Sequence, residues 1–285
     1  MSTLQVLSPV TLEELDQMLA EHPGTPLLAG ATDLTPLMRR GLLQPERVIN
    51  LQKLRQELNS ILEQGGELII GSMANMSSLT THPLLRKRYS LLAEAAGCIG
   101  ARQIQQMATL GGNIANASPS ADSVPPLLVY EAVLVLQSAA GTRELKLRDF
   151  FLDYKQLALA PAEWIRGVRL PEPPSALCFY RKTGARRAQA IAKLSVAALV
   201  GQSGSELFRV AAGAMSPFPK RLTEVEDYVI QNRSDGSTLR EVEIRQKLGT
   251  DLTPIDDIRS TADYRLQVAG NILCDMIREA GIELD

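Results

Sequence analysis

TLGGNIANASPSADSVPP, residues 109–126, holds paired glycines, two asparagines, three serines, one aspartate and three prolines. Such a run makes a poor helix and a poor strand, so the sequence predicts a loop there. A helical run precedes it and an apolar, strand-like run, 132–136, follows. A small, polar, turn-prone segment between two core elements lets backbone approach a ligand. Glycine brings main-chain N–H groups up to an anion with no Cβ in the way. LLAGATDL at residues 27–34 has the same character. Thr32, Asn113, Ser118 and Ser120 add short side-chain donors, and Asp122 is an acceptor suited to a hydroxyl. Two such loops point to one phosphate-bearing ligand. Spacing alone leaves open the plainer alternative of two surface loops.

The flanking chain supports a mixed fold. Thr11, with Glu14 three residues on, predicts a capped helix carrying Leu12, Leu15 and Leu19 at helical spacing. A short strand at 26–29 and a turn at 30–33 lead into a helix at 34–40, with Asp33 as its expected cap. Strands are predicted at 47–51, 60–64 and 67–71, a largely helical run at 77–99, and strands at 132–137, 143–147 and 164–170. Pro171, Pro173 and Pro174 form a stiff break, the predicted domain boundary. Beyond it, strands at 177–182, 190–199 and 207–214 read as an antiparallel meander. Helices at 221–231, 238–248 and 263–278 follow, the order expected of an α+β domain.

Composition narrows the function. The chain has 285 residues, and its 30 basic and 32 acidic side chains leave a net charge of −2. That argues against a nucleic-acid binder driven by bulk charge. Cys98, Cys178 and Cys274 are scattered and odd in number, so each is expected as a small buried hydrophobe in a reducing compartment. No apolar run approaches the ~20 residues of a membrane span, and the N-terminus lacks the pattern of a signal peptide. A soluble, cytoplasmic protein is expected. Neither G-x-G-x-x-G nor a P-loop is present. The two histidines, His22 and His82, each precede a proline in an apparent turn, so a histidine-based metal site or triad is not expected.

GATDL at 30–34, TLGGNIANASPSAD at 109–122 and YRKTGARRAQAIAKLSVAA at 180–198 resemble the FAD-binding (medium) subunit of the molybdenum hydroxylases. These include the xanthine dehydrogenase, carbon monoxide dehydrogenase and aldehyde oxidoreductase enzymes. The usual forms are close to AGGTDL and T-I/L-GGN-I/L-A-x-ASP-x-x-D, and TADYR at 261–265 resembles the family's S-x-x-YR. The likeness runs over nearly the whole chain. It implies an α+β protein with a two-lobed FAD-binding domain of the vanillyl-alcohol-oxidase/PCMH type at 1–174. A smaller carbon monoxide dehydrogenase flavoprotein-like domain, with a three-stranded antiparallel sheet and a helical bundle, would occupy 175–285.

FAD would lie non-covalently between the two lobes. The resemblance places Leu27, Leu28, Ala29, Gly30, Ala31, Thr32, Asp33 and Leu34 at the pyrophosphate, with Thr109, Leu110, Gly111, Gly112 and Asn113 opposite, both through backbone N–H groups. Asp122 would bind a polar part of FAD, and Ile165 matches a cofactor-contacting position. Lys182 matches a basic residue near the flavin, where a positive charge stabilises the reduced ring. Arg181, Lys182, Arg186 and Arg187 read equally as a solvated basic hairpin loop, or as a patch for NAD phosphates or an acidic partner. Ala31 stands where the family often has a second glycine, and an alanine suits that approach where φ is negative.

The chain lacks the cysteines for iron–sulfur clusters and is too short for a molybdopterin subunit. The resemblance implies as partners an iron–sulfur subunit and a molybdopterin subunit of the same complex. Electrons would arrive singly from the iron–sulfur partner and leave through FAD to NAD+ or another acceptor. Two alternatives stay open: a stand-alone FAD-dependent oxidoreductase of the same fold, and a cofactor-less binding or scaffold protein.

Overall fold

The computed structural model describes residues 4–186, 188–202 and 205–285, so Arg187 of the expected basic loop lies outside the described residues. The first lobe comprises β1 (Gln5–Leu7), α1 (Leu12–Glu21), β2 (Leu27–Leu28), α2 (Leu34–Arg39), β3 (Arg47–Asn50) and α3 (Arg55–Leu58). Its strands pair in the order β1-β3-β2, both pairings parallel. The N–H of Glu14 donates to Thr11 Oγ1 at 3.2 Å, and the Glu14 carboxylate accepts from the N–H of Val10 at 2.7 Å. That return bond falls one residue ahead of the usual capping box. Leu12, Leu15 and Leu19 share one helix face and are buried with Ile49, Leu51, Leu54 and Leu58. Each such side chain contributes roughly 2 kcal/mol of burial. Met73 and Trp164 complete this core from the second lobe, so the small lobe does not close alone.

The second lobe opens with β4 (Ile61–Gln64) and β5 (Glu67–Gly71). Short helices follow: α4 (Met76–Thr81), α5 (Pro83–Arg88), α6 (Ser90–Gly97), α7 (Arg102–Met107), α8 (Leu110–Ala115) and α9 (Val124–Val129). Then come β6 (Val133–Ser138), β7 (Gly141–Lys146), β8 (Phe151–Asp153), β9 (Gln156–Leu157) and β10 (Trp164–Leu170). The main sheet runs β4-β5-β10-β6-β7, antiparallel throughout, and β8 and β9 form a separate hairpin.

Two expectations change here. The helical run 77–99 is broken, because His82 precedes a proline and sits extended at φ −65°, ψ 126°. Residues 109–126 are not one loop but begin with α8 and end inside α9. Thr109 caps α8, its Oγ1 accepting from the N–H of Gly112 at 3.2 Å. Pro125 and Pro126 lie in the first turn of α9, where a missing N–H costs least. Glycine and proline penalties apply to helix interiors, and both helices place these residues at their starts.

After Leu170 the chain reaches β11 (Leu177–Gly184), β12 (Ala192–Val200) and β13 (Phe208–Gly213), the expected meander. A fourth strand, β14 (Lys220–Arg221), occupies the predicted start of a helix. The helices α10 (Thr223–Asp235), α11 (Glu241–Asp251) and α12 (Ala262–Glu279) cover one face of this sheet, over Leu194, Val196, Val200 and Val210. The opposite face, with Tyr180, Ala197, Leu199 and Ala211, belongs to the core of the second lobe. Cover on both sides explains why β12 reads as a continuous apolar run. Arg209 and Arg221 strengthen the junction by donating to the last carbonyls of α9, Val129 O and Leu128 O, each at 3.3 Å.

Of the three cysteines only Cys274 is buried. Cys98 is half-buried and Cys178 is exposed on the edge strand β11, which corrects the expectation for both. Among the described residues no helix is long and apolar enough to cross a membrane, and no group of His, Cys, Asp and Glu gathers to hold a metal.

Candidate functional site

A cleft of about 710 Å³ opens between the first two lobes. Residues 29–34 form part of its wall. A Cβ built on Gly30 would lie 2.0 Å from the carbonyl oxygen of Met107. The first glycine stretch therefore rests directly on the backbone just ahead of the second. Ala31 has φ 61°, the left-handed region and not the negative φ that suits alanine. Among the described residues, the N–H groups of Gly30, Ala31, Thr32 and Asp33 donate to no protein acceptor. Successive unpaired N–H groups around a left-handed residue make an anion-binding concavity. Asp33 occupies the cap position of α2, but its side chain accepts no capping hydrogen bond, contrary to expectation.

The second stretch enters the cleft differently. Leu110 N–H donates to Ala74 O and Gly111 N–H to Ser72 O, both at 2.9 Å. The N–H of Asn113 donates to Thr109 O at 2.9 Å. With Gly112 on the Thr109 cap, these amides are spent within the fold, which corrects the expectation of a second backbone cradle. Thr109, Gly111, Gly112 and Asn113 still line the cleft, whereas Leu110 is wholly buried behind it. Asn113 Oδ1 accepts from Ser123 Oγ at 2.6 Å. On the first stretch Leu27, Ala29, Gly30, Ala31, Thr32, Asp33 and Leu34 line the wall and Leu28 does not. Ile165 lines it, with Trp164 beside it.

Asp122 and Lys182 are not among the lining residues; they meet each other. Lys182 Nζ is 2.6 Å from Asp122 Oδ2 and donates to Cys98 O at 2.8 Å, while Tyr180 OH donates to Asp122 Oδ1 at 3.4 Å. The period-two alternation of β11 sets Tyr180 and Lys182 on one face, towards the second lobe. Burial pushes the Asp122 carboxyl up, and the Lys182 ammonium pulls it part of the way back. Burial also holds the Tyr180 phenol well above its ordinary pKa, so it remains a proton donor. Lys182 is thus half of a buried ion pair.

The cleft also contains residues that sequence reasoning passed over. Ser72 Oγ is buried in the wall with no hydrogen-bond partner. Its signal was only its place after the apolar run 67–71. Lys155 sits at the turn of the β8–β9 hairpin and lines the opening. Trp164, the single tryptophan of the chain, donates through Nε1 to Asp16 Oδ1 at 2.7 Å. Gln137 Nε2 donates to Asp16 Oδ2 at 2.6 Å. An amide-lined turn, an orphaned hydroxyl and an apolar wall that includes Leu34, Leu37, Leu157 and Ile165 fit a flavin dinucleotide, with a charged diphosphate and flat rings.

Residues 2–173 match the family model for the FAD binding domain in molybdopterin dehydrogenase, and residues 179–280 match that for the CO dehydrogenase flavoprotein C-terminal domain. The chain is similar to the glyceraldehyde dehydrogenase medium chain of Sulfolobus acidocaldarius, 28% identical over 90% of this chain and 91% of that one. It is 29% identical to a putative xanthine dehydrogenase FAD-binding subunit of Escherichia coli, over 95% of this chain and 93% of that one. Among solved structures, a chain of the carbon monoxide dehydrogenase from Hydrogenophaga pseudoflava aligns with a TM-score of 0.86 at 25% identity. That alignment covers 95% of this chain and 94% of the other. With the FAD-domain match spanning more than half of its length, the chain belongs to the molybdenum hydroxylase family, as an FAD-binding oxidoreductase subunit.

Proposed function

We propose that this subunit takes electrons one at a time from an iron–sulfur partner and passes them to NAD+ or another acceptor, while a separate molybdopterin subunit oxidises the organic substrate. A division of labour between 1–174 and 175–285, and a cytoplasmic location, belong to the same reading. The observation that carries it is the chemistry of the cleft. Its charged lining residues, among those described, are Asp33, Lys155 and Glu163. Glu163 is held by Arg143 at 2.6 Å, and the two remaining charges, Asp33 and Lys155, flank the amide turn that would take a diphosphate. That favours a carrier of electrons over a stand-alone oxidoreductase.

FAD, when bound, supplies a two-electron store that links one-electron donors to two-electron acceptors. The residues of this chain hold and orient it. In this reading the amides of Gly30, Ala31, Thr32 and Asp33 take the diphosphate, and Ser72 gives its unpartnered hydroxyl. Thr109, Gly111, Gly112, Asn113 and Ile165 shape the remaining wall. Lys182, paired with Asp122 and bonded to Cys98 O behind the cleft, supports the wall from the second domain rather than touching it.

Purification of the chain with its co-expressed partners tests this. The complex should carry a flavin spectrum, iron and molybdenum. Gly112→Asp should lose the flavin: Gly112 is exposed, and a Cβ there lies 2.8 Å from Thr109 Oγ1, so the α8 cap must shift, and circular dichroism checks that the variant stays folded. A folded wild-type chain without flavin, or a flavoprotein isolated with no metal-bearing partner, would overturn the proposal.

A further inference from the structure

The β8–β9 hairpin contributes one side of the cleft opening and turns through Tyr154 and Lys155. Lys155 has φ 58°. Glycine or asparagine adopts that conformation at least cost, and a long side chain there carries strain. Strain of this kind persists where the surrounding structure holds it, and it concentrates at binding sites. The Lys155 ammonium donates to the backbone carbonyl of Asn116 and, at 3.1 Å, to Asn116 Oδ1. These bonds tie the hairpin to the C-terminal end of α8. Among the described residues Lys155 forms no salt bridge, and it is the one cation lining the cleft. Loss of water around the amine lowers its pKa, and the carboxylate of Asp33 acts in the opposite direction. Asp33 belongs to the turn whose four amides have no protein acceptor. An ammonium with no carboxylate partner therefore faces an anion cradle that carries a negative side chain of its own.

We propose that Lys155 is the counter-charge for the diphosphate of the bound dinucleotide, and that the β8–β9 hairpin is a clasp carrying it across the cleft from the Gly30–Asp33 amides. This rests on the cleft being the FAD site. The amides supply direction, and Lys155 supplies the net positive charge that neutral N–H groups lack and that Asp33 would otherwise oppose. Lysine acts at such a site as a point charge on a flexible stem, so it can serve Asn116 and a phosphate oxygen together. The strained turn fixes the origin of that stem.

The test uses the full-length chain freed of flavin, titrated with FAD and with riboflavin, which has the rings but no phosphate. Lys155→Gly removes the charge and the bonds to Asn116 while relaxing φ 58°, so the strain relief offsets part of the loss and the variant should stay folded, which a thermal melt checks. It should weaken FAD binding about tenfold or more, the loss expected for a charge-assisted hydrogen bond. Riboflavin affinity should stay unchanged, and the salt dependence of FAD affinity should become shallower. Lys155→Arg should retain most of the FAD affinity. Equal FAD affinity in Lys155→Gly and wild type would overturn the clasp while leaving the FAD site intact. An equal fractional loss for FAD and riboflavin would also overturn it, by assigning Lys155 to support of α8 alone. A folded wild-type chain that binds neither compound would overturn the clasp together with the FAD-site reading.

Discussion

At the residue scale, Gly30 and Ala31 are neighbours under opposite constraints. Gly30 is fixed by space: a Cβ would lie 2.0 Å from Met107 O and 2.8 Å from Met107 C, both backbone atoms that cannot swing away. Ala31 is fixed by torsion, with φ 61°. Gly30→Ala should push the first turn off residue 107, lower stability by about 2 kcal/mol as overpacking does, and weaken FAD binding through misplaced amides. Ala31→Gly should raise stability by roughly 0.5–1 kcal/mol, since relief of the left-handed strain exceeds the added freedom of the unfolded chain. Urea melts of both variants, paired with FAD titration, distinguish the two constraints. Lower stability in Ala31→Gly would mean that the left-handed conformation carries no strain here.

At the element scale, α12 gives physical content to a motif that the sequence showed only as a pattern. In TADYR, Thr261 caps the helix, accepting at Oγ1 from the N–H of Tyr264 at 3.2 Å. Arg265, one turn in and 3% exposed, donates to Lys193 O, Ala214 O and Asp257 Oδ1. Asp257 is held at about 2: desolvation raises it, but the N–H of Arg259, the guanidinium groups of Arg265 and Arg259, and the N–H of Ser260 together outweigh that. A carboxyl lowered on folding adds stability above its unfolded pKa, near 4, and that stability is lost as pH falls towards 2. Urea midpoints should therefore fall between pH 4 and pH 2 by more in the wild type than in Asp257→Asn. At neutral pH Asp257→Asn should cost about 3 kcal/mol, because a buried guanidinium loses its counter-charge. Parallel pH profiles for the two proteins would remove Asp257 from this role. Local signals of another kind were readable: the Thr11 cap with Leu12, Leu15 and Leu19 behind it, and the strands at 164–170 and 177–182. The α8 helix was not, because its formation depends on Gly111 packing against Ser72, where a Cβ would come within 2.6 Å of the serine Cβ. Nothing local in TLGGN reports that contact.

At the scale of the whole molecule, the cleft exists because two lobes with separate sheets are held at a fixed separation, and the tie between them is polar. Asp16 on α1 accepts from Trp164 Nε1 on β10 and from Gln137 Nε2 on β6. Arg166 Nη1 extends the chain of bonds by donating to Gln137 Oε1 at 2.8 Å. These partners lie more than a hundred positions from Asp16, so periodicity could show α1 as an amphipathic helix but not why an aspartate interrupts its buried face. The same holds for Lys155 and Asp33, which approach only once both lobes have formed. Asp16→Ala would leave the buried Trp164 and Gln137 donors without an acceptor, at about 1–3 kcal/mol for each group. A loss of about 3 kcal/mol in the urea midpoint is expected, with Asp16→Asn losing less because it keeps one acceptor oxygen. Trp164 lines the cleft and is the only tryptophan, so its emission reports the tie directly. In Asp16→Ala the emission should shift to longer wavelength as water reaches the indole, and FAD affinity should fall with it, because Trp164 and Ile165 form one wall of the site. A variant with lower stability but unchanged emission and FAD affinity would show that Asp16 braces the small lobe without setting the width of the cleft.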